Sequence, residues 1–176
     1  PTFLGRRSAV YQASIGCPYS CNFCGVITAF GSRERFEDPA RTVGNLSYLV
    51  QHYGVDAVHF YDNNFFLAED HAADLCSRIA PLGISWWCEA RIDAMLRFSD
   101  RTWRLIKRAG LKMVFFGAES GSDGEVAATR RDIPLPNMPT FAPSSRVTNS
   151  SSAMASSGVC MGMIAAGVMR SDRSRK

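Results

Sequence analysis

No run of 18 or more apolar residues occurs in the chain, so a membrane-spanning helix is not expected. The sequence opens Pro-Thr-Phe-Leu, with neither an initiator Met nor a charged-then-apolar leader; a start cut away from a longer chain is the expectation, and secretion is not. Internal repeats are absent. So are aromatics interleaved with the basic residues of the C-terminal stretch, which makes nucleic acid an unexpected partner. The formal charge of +4 hides an asymmetry. Residues 1–129 carry 13 Lys/Arg against 14 Asp/Glu, and residues 130–176 carry 7 against 2, so the basic character belongs to the tail alone. What is present is enough for a core: 46% of the 176 residues are hydrophobic, fitting one domain of ordinary size.

Short apolar runs alternate with helical patterns from Ser8 to Ser120. Strands are expected at Ser8–Ile15, Asp56–Tyr61, Ile84–Glu89 and Met113–Ala118. Helices are expected at Pro39–Tyr53, stopped by Gly54; at Ala68–Ala80, stopped by Pro81-Leu82-Gly83; and at Asp100–Ala109, with Ser99 as N-cap and Gly110 beyond the end. Near-continuous apolar strands separated by helices indicate an α/β fold with a parallel sheet and helical crossovers. Trp86 and Trp87 read as core and wall residues. After about Gly124 the rhythm stops. Pro134, Pro136, Pro139 and Pro143 interrupt regular structure, Ser is abundant from Ser144 to Ser157, and Met161–Met169 is apolar but lacks strand–helix context. The division expected is residues 1–125 as the folded core and 126–176 as an irregular or disordered tail, not necessarily native.

Six cysteines could form three disulfides in a small secreted protein, but three of the six fall within eight residues and no leader is present. The run Gly16-Cys17-Pro18-Tyr19-Ser20-Cys21-Asn22-Phe23-Cys24-Gly25 has the pattern C-x3-C-x2-C. Thiolates are soft ligands suited to iron–sulfur clusters or zinc. A structural zinc site is normally closed by four protein ligands, whereas three thiolates leave one position open. Cys76, Cys88, Cys160 and the three histidines all lie far along the chain. A cluster at Cys17, Cys21 and Cys24 is therefore favoured over zinc and over simply buried cysteines.

Each apolar run also ends in polar residues on its C-terminal side: the cysteine loop, then Asp62-Asn63-Asn64, then Cys88-Glu89-Ala90-Arg91, then Glu119-Ser120-Gly121-Ser122. Parallel α/β folds gather their sites at that edge. Asp62, Asn63 and Asn64 read equally as site residues or as turn and cap residues. Glu89 and Arg91, two apart on a strand, share a face and read either as a structural ion pair or as ligand contacts. Glu119 and Ser120 follow a buried strand, where a carboxylate without a purpose is costly.

The cysteine loop, with Phe23 before its last cysteine, resembles the defining loop of the radical S-adenosylmethionine (SAM) superfamily. The segments Phe60-Tyr61-Asp62-Asn63-Asn64-Phe65 and Phe116-Gly117-Ala118-Glu119-Ser120-Gly121 most resemble its cobalamin-associated branch, over about residues 7–125; the methylthiotransferases are similar in the same segments. The resemblance implies a partial (β/α) barrel of about four βα units, where the family barrel has about six. It implies an enzyme in which Cys17, Cys21 and Cys24 hold a [4Fe–4S] cluster whose open iron binds SAM, and one-electron reduction releases a 5′-deoxyadenosyl radical. Phe23, Asp62, Glu89, Arg91, Glu119 and Ser120 are then cofactor contacts, Phe23 near the adenine and Arg91 at the SAM carboxylate. The usual Gly-Gly-Glu after the second strand is replaced by Asp62-Asn63-Asn64. The implied activity is that of a B12-dependent methyltransferase-type enzyme acting on an organic small molecule, with cobalamin on a domain outside this chain, a flavodoxin or ferredoxin as electron donor, and a cytoplasmic location. A methylthiotransferase-like protein and a truncated, non-catalytic cluster-binding fragment are the alternatives.

Overall fold

The computed structural model of the chain describes residues 2, 3, 5–117 and 160–164. A short strand β1 (Thr2–Phe3) lies antiparallel to β2 (Arg6–Tyr11). The main sheet then runs in parallel through β5 (Ala57–Phe60), β6 (Ser85–Ala90) and β7 (Leu111–Gly117). A further parallel strand, β8 (Cys160–Ile164), joins β7 on its other side, so the order is β1-β2-β5-β6-β7-β8. Residues 160–164 lie inside the stretch expected to be irregular, and there they form a strand. A separate two-stranded ribbon pairs β3 (Ser14–Ile15) with β4 (Arg35–Phe36).

Among the described residues, three helices cross between the parallel strands. In α2 (Pro39–Tyr53) the Asp38 carboxylate accepts from the Ala40 N–H at 2.8 Å, and Pro39 occupies the first turn, where its missing donor costs nothing. Gly54 closes it in the left-handed region, φ 62°, with its N–H reaching the carbonyls of Leu49 and Val50. The next helix, α3 (Glu69–Ile79), buries Ala72, Leu75, Cys76 and Ile79 and passes into a 3-10 turn at Ala80–Leu82. Helix α5 (Asp100–Arg108) is capped by Ser99, whose hydroxyl accepts from the Thr102 N–H, and it buries Thr102 and Ile106. These boundaries follow the sequence expectation to within a residue or two because the caps of α2 and α5 and the Pro81-Leu82-Gly83 stop after α3 are local signals.

Alternate strand residues divide between two faces. Val58, Phe60, Trp86, Cys88, Val114 and Phe116 pack against Leu46, Leu75, Ile79 and Ile106 in one core under the helices. The opposite face carries the row Val10, His59, Trp87 and Met113, neighbours by register across four strands. Two short helices were not foreseen: α1 (Val26–Phe30), directly after the cysteines, and α4 (Ile92–Met95), directly after β6. The expected first strand, Ser8–Ile15, is two strands. Its ladder ends at Tyr11, the Ala13 N–H turns to a side chain, and Ser14–Ile15 leave the sheet for β4.

Candidate metal centre

The cysteine loop connects β3 to α1, at the C-terminal edge of the parallel strands. Gly16 begins it with φ +96°, and a Cβ there would stand 2.2 Å from the Arg33 carbonyl oxygen. Only glycine lets the loop cross the chain entering β4. The residues after β5 hold the loop from beneath. Asp62, 3% exposed, accepts from the Ala13 N–H at 3.3 Å, and the Asn63 amide oxygen accepts from the Gly16 N–H at 3.0 Å. Asn64 is fully buried and its amide oxygen accepts from the Arg91 N–H at 3.2 Å. The Phe65 N–H bonds the Glu89 carbonyl at 3.0 Å. The polar endings of the first three parallel strands therefore meet, through backbone groups, at one edge. Glu119 and Ser120, from the fourth ending, lie outside the described residues.

Cys17, Cys21 and Cys24 are free thiols, the first two half-buried and the third exposed. Burial pushes the Cys17 thiol up, and the neighbouring charges of Glu34 and Cys21 add to this. Cys76 and Cys88 are buried in the helix-covered core, where burial drives their thiols far up; they are packing groups. Among the described residues no three His, Cys, Asp or Glu side chains converge on a single ion. One ion such as zinc would need its sulfurs at about 2.3 Å from a common centre. An iron–sulfur cube instead takes each thiolate on a different iron, so its donors stand wider apart.

Carboxylates surround the base of the loop. Glu34 accepts from the Ser14 hydroxyl at 3.1 Å and is pushed up to about 7, mainly by burial. Asp62 is pushed up to about 6, also mainly by burial, and the charge of Glu89 adds to it. Glu89 pairs with His59 at 2.8 Å, and His59 stacks on Trp87 with ring centres 5.2 Å apart. One oxygen of Glu34 and one of Glu89, like the Asn64 amide nitrogen, are buried without a hydrogen-bond partner among the described residues. Orphaned carboxylate oxygens favour a cation. Three free soft donors beside such oxygens fit a thiolate-bound cluster with a sulfonium or ammonium ligand.

Strand β6 ends at Ala90, and Arg91, still extended at φ −95° and ψ 137°, precedes α4. Glu89 pairs with His59, and Arg91 pairs with Asp93. Its guanidinium donates from Nε and Nη2 to the two oxygens of Asp93, at 2.9 and 3.2 Å. It also lies 3.7 Å above the centre of the Tyr19 ring, and Nη1 reaches the Cys21 sulfur at 3.7 Å. Arg97 donates to the Tyr19 hydroxyl at 3.2 Å. Phe23 is 49% exposed at the top of the loop. Tyr19, Glu34 and His59 had no motif to mark them; only the inward alternation on β5 singles out His59.

A cysteine loop of this spacing stands at the C-terminal edge of a parallel α/β sheet, as the resemblance to radical SAM cores leads one to expect. The chain is similar to several known proteins. An uncharacterised methyltransferase of Pyrococcus horikoshii is 35% identical over 120 residues, covering 67% of this chain and 26% of the relative. Among solved structures, the radical SAM methyltransferase TsrM from Kitasatospora setae, with tryptophan substrate and a SAM analogue bound, superposes with a TM-score of 0.62 at 20% identity, over 70% of this chain and 24% of that one. The cobalamin-dependent SAM radical enzyme OxsB, with aqua-cobalamin and SAM bound, gives 0.61 at 19% identity, over 73% and 20%. No family model matches the chain. In fold the chain is like these two radical SAM enzymes, one of them cobalamin-dependent. It spans about a quarter of the length of these relatives, and its sheet is a partial barrel of that type. Among the described residues no helix is long and apolar enough to cross a membrane.

Proposed function

We propose that this chain supplies the cluster-binding part of a radical SAM enzyme of the B12-dependent methyltransferase type, acting on an organic small molecule. The observation that carries the reading is the loop itself: three free thiols, anchored at Gly16 by Asn63 and over Ala13 by Asp62, at the edge where the strand endings meet. Cys17, Cys21 and Cys24 would hold a [4Fe–4S] cluster, which when reduced supplies the electron that splits SAM. Asp62 acts from below by fixing the loop. Glu89 offers its partnerless oxygen to a cationic group of SAM, and Glu34 is suited to the same task. Phe23, exposed beside Cys24, is assigned to the adenine by family analogy, as Glu119 and Ser120 are to SAM or substrate. Arg91 stands next to the loop with part of its fork already committed to Asp93. Cobalamin, in this reading, is held outside the described residues, as befits a chain similar to OxsB. A flavodoxin- or ferredoxin-like electron donor and a cytoplasmic setting belong to the same reading.

Anaerobic reconstitution tests it. Roughly four irons and four sulfides per chain are expected, with 5′-deoxyadenosine released on adding SAM and a strong reductant. Iron that stays bound after Cys17, Cys21 and Cys24 are all changed to Ala would overturn the reading. So would about one zinc per chain with no sulfide.

A further inference from the structure

Arg91 is buried, and its side chain makes directed contacts on several sides. A guanidinium carries five N–H donors in a rigid fork. Two of them grip Asp93 at 2.9 and 3.2 Å, from the same element, α4. That grip fixes the plane of the fork. The Tyr19 ring, 3.7 Å from the guanidinium carbon, covers one face of that plane and is itself tied to Arg97. With the plane set and one face covered, Nη1 is aimed at the Cys21 sulfur, 70 residues earlier in the chain. From below, the backbone N–H of the same arginine is held by the fully buried Asn64. Aligning a flexible side chain in this way costs rotamer entropy. Loop anchoring does not require that outlay, because Asp62 and Asn63 already anchor the loop through Ala13 and Gly16.

We propose that Arg91 is a positioning residue whose N–H···S bond to Cys21 sets the reduction potential of the cluster held there. The inference rests on the assignment of Cys21 as a cluster ligand. Hydrogen bonds to the sulfurs of a cluster favour its more negative, reduced form and are a principal control of its potential. Asp93 balances the charge of Arg91 at a distance. It does not replace the hydrogen bond, which acts on the sulfur itself.

The test is a redox titration, followed by electron paramagnetic resonance, of the full chain with its cluster reconstituted, as wild type, Arg91→Lys, Arg91→Met and Arg97→Met. The Arg91→Met potential should fall below wild type, because donor and charge are both lost. Arg91→Lys should lie between the two, and Arg97→Met, which alters only the far side of Tyr19, should match wild type. Equal potentials in wild type, Arg91→Lys and Arg91→Met overturn the inference while leaving the cluster assignment standing. Loss of the cluster from both Arg91 variants also overturns it, because Arg91 would then serve only to hold the loop. Should Arg91→Met alone lose its cluster, Arg91→Lys decides: a lowered potential supports the inference, and a wild-type potential overturns it. Wild-type protein that takes up neither iron nor sulfide ends both readings.

Discussion

The two faces of the parallel sheet are made from alternate residues of the same strands, yet they are built on different principles. On the helix-covered face the side chains are apolar, fully enclosed and interlocked: Phe60 meets Trp86 edge-on with centres 5.5 Å apart, and Phe65 and Phe66 complete the cluster. On the other face the row begins with Val10, 68% exposed, and continues through a histidine paired with a glutamate. One residue along a strand thus separates a group that stabilises the fold from one available to a ligand. The difference teaches that stability and chemistry have been assigned to opposite sides of a single layer, with the loop and the polar strand endings at the edge between them.

Substitutions on the two sides should therefore differ sharply in cost. The largest effect is expected from Trp86→Ala, which empties the centre of the covered face and removes the indole N–H that donates to the Ala109 carbonyl at 2.9 Å. A loss of about 3–5 kcal/mol in urea unfolding is expected; a loss below about 1 kcal/mol would mean that this face does not hold the fold.

Asn64→Ala comes next. It leaves the buried Arg91 N–H without an acceptor and should cost about 1–3 kcal/mol, visible as a lowered thermal midpoint.

Glu34→Gln is smaller and depends on pH. The Glu34 carboxyl is held above its ordinary value of 4.5, at about 7, so the fold binds its proton more tightly than the unfolded chain does. That contribution is complete below about pH 4.5 and is lost as pH rises through about 7. Glutamine resembles the protonated form. The variant should be more stable than wild type at pH 8, by on the order of 1 kcal/mol given partial solvation, and the gap should close at pH 5. A gap of the same size at both pH values would show that the burial of Glu34 is not what perturbs it.

The smallest effect is expected on the open side, where Val10→Thr should change stability by no more than about 0.5 kcal/mol. A larger loss would show that this face is covered in solution.

The sequence was most legible where structure is decided by near neighbours. Asp38 and Pro39 start α2 and Gly54 ends it; Ser99 starts α5. Polar strand endings pointed to the edge where Asp62, Asn63 and Asn64 now lie. The break in the first strand was hidden because its cause, Asp62, is 49 residues from Ala13. The setting of Arg91 was hidden for a related reason: the Cys21 sulfur that it reaches lies 70 residues earlier in the chain. Tyr19 beneath Arg91 gave no signal, since a single aromatic in a loop has no periodicity to reveal its partner.

The hydrogen bond from Gly16 to Asn63 joins positions 47 apart in sequence. The thiol-bearing turn therefore has no floor until β5 has docked beside β2. A nascent chain emerging residue by residue would expose its three sulfur groups well before their support exists. The support for that turn is thus complete only once the first parallel pair has closed.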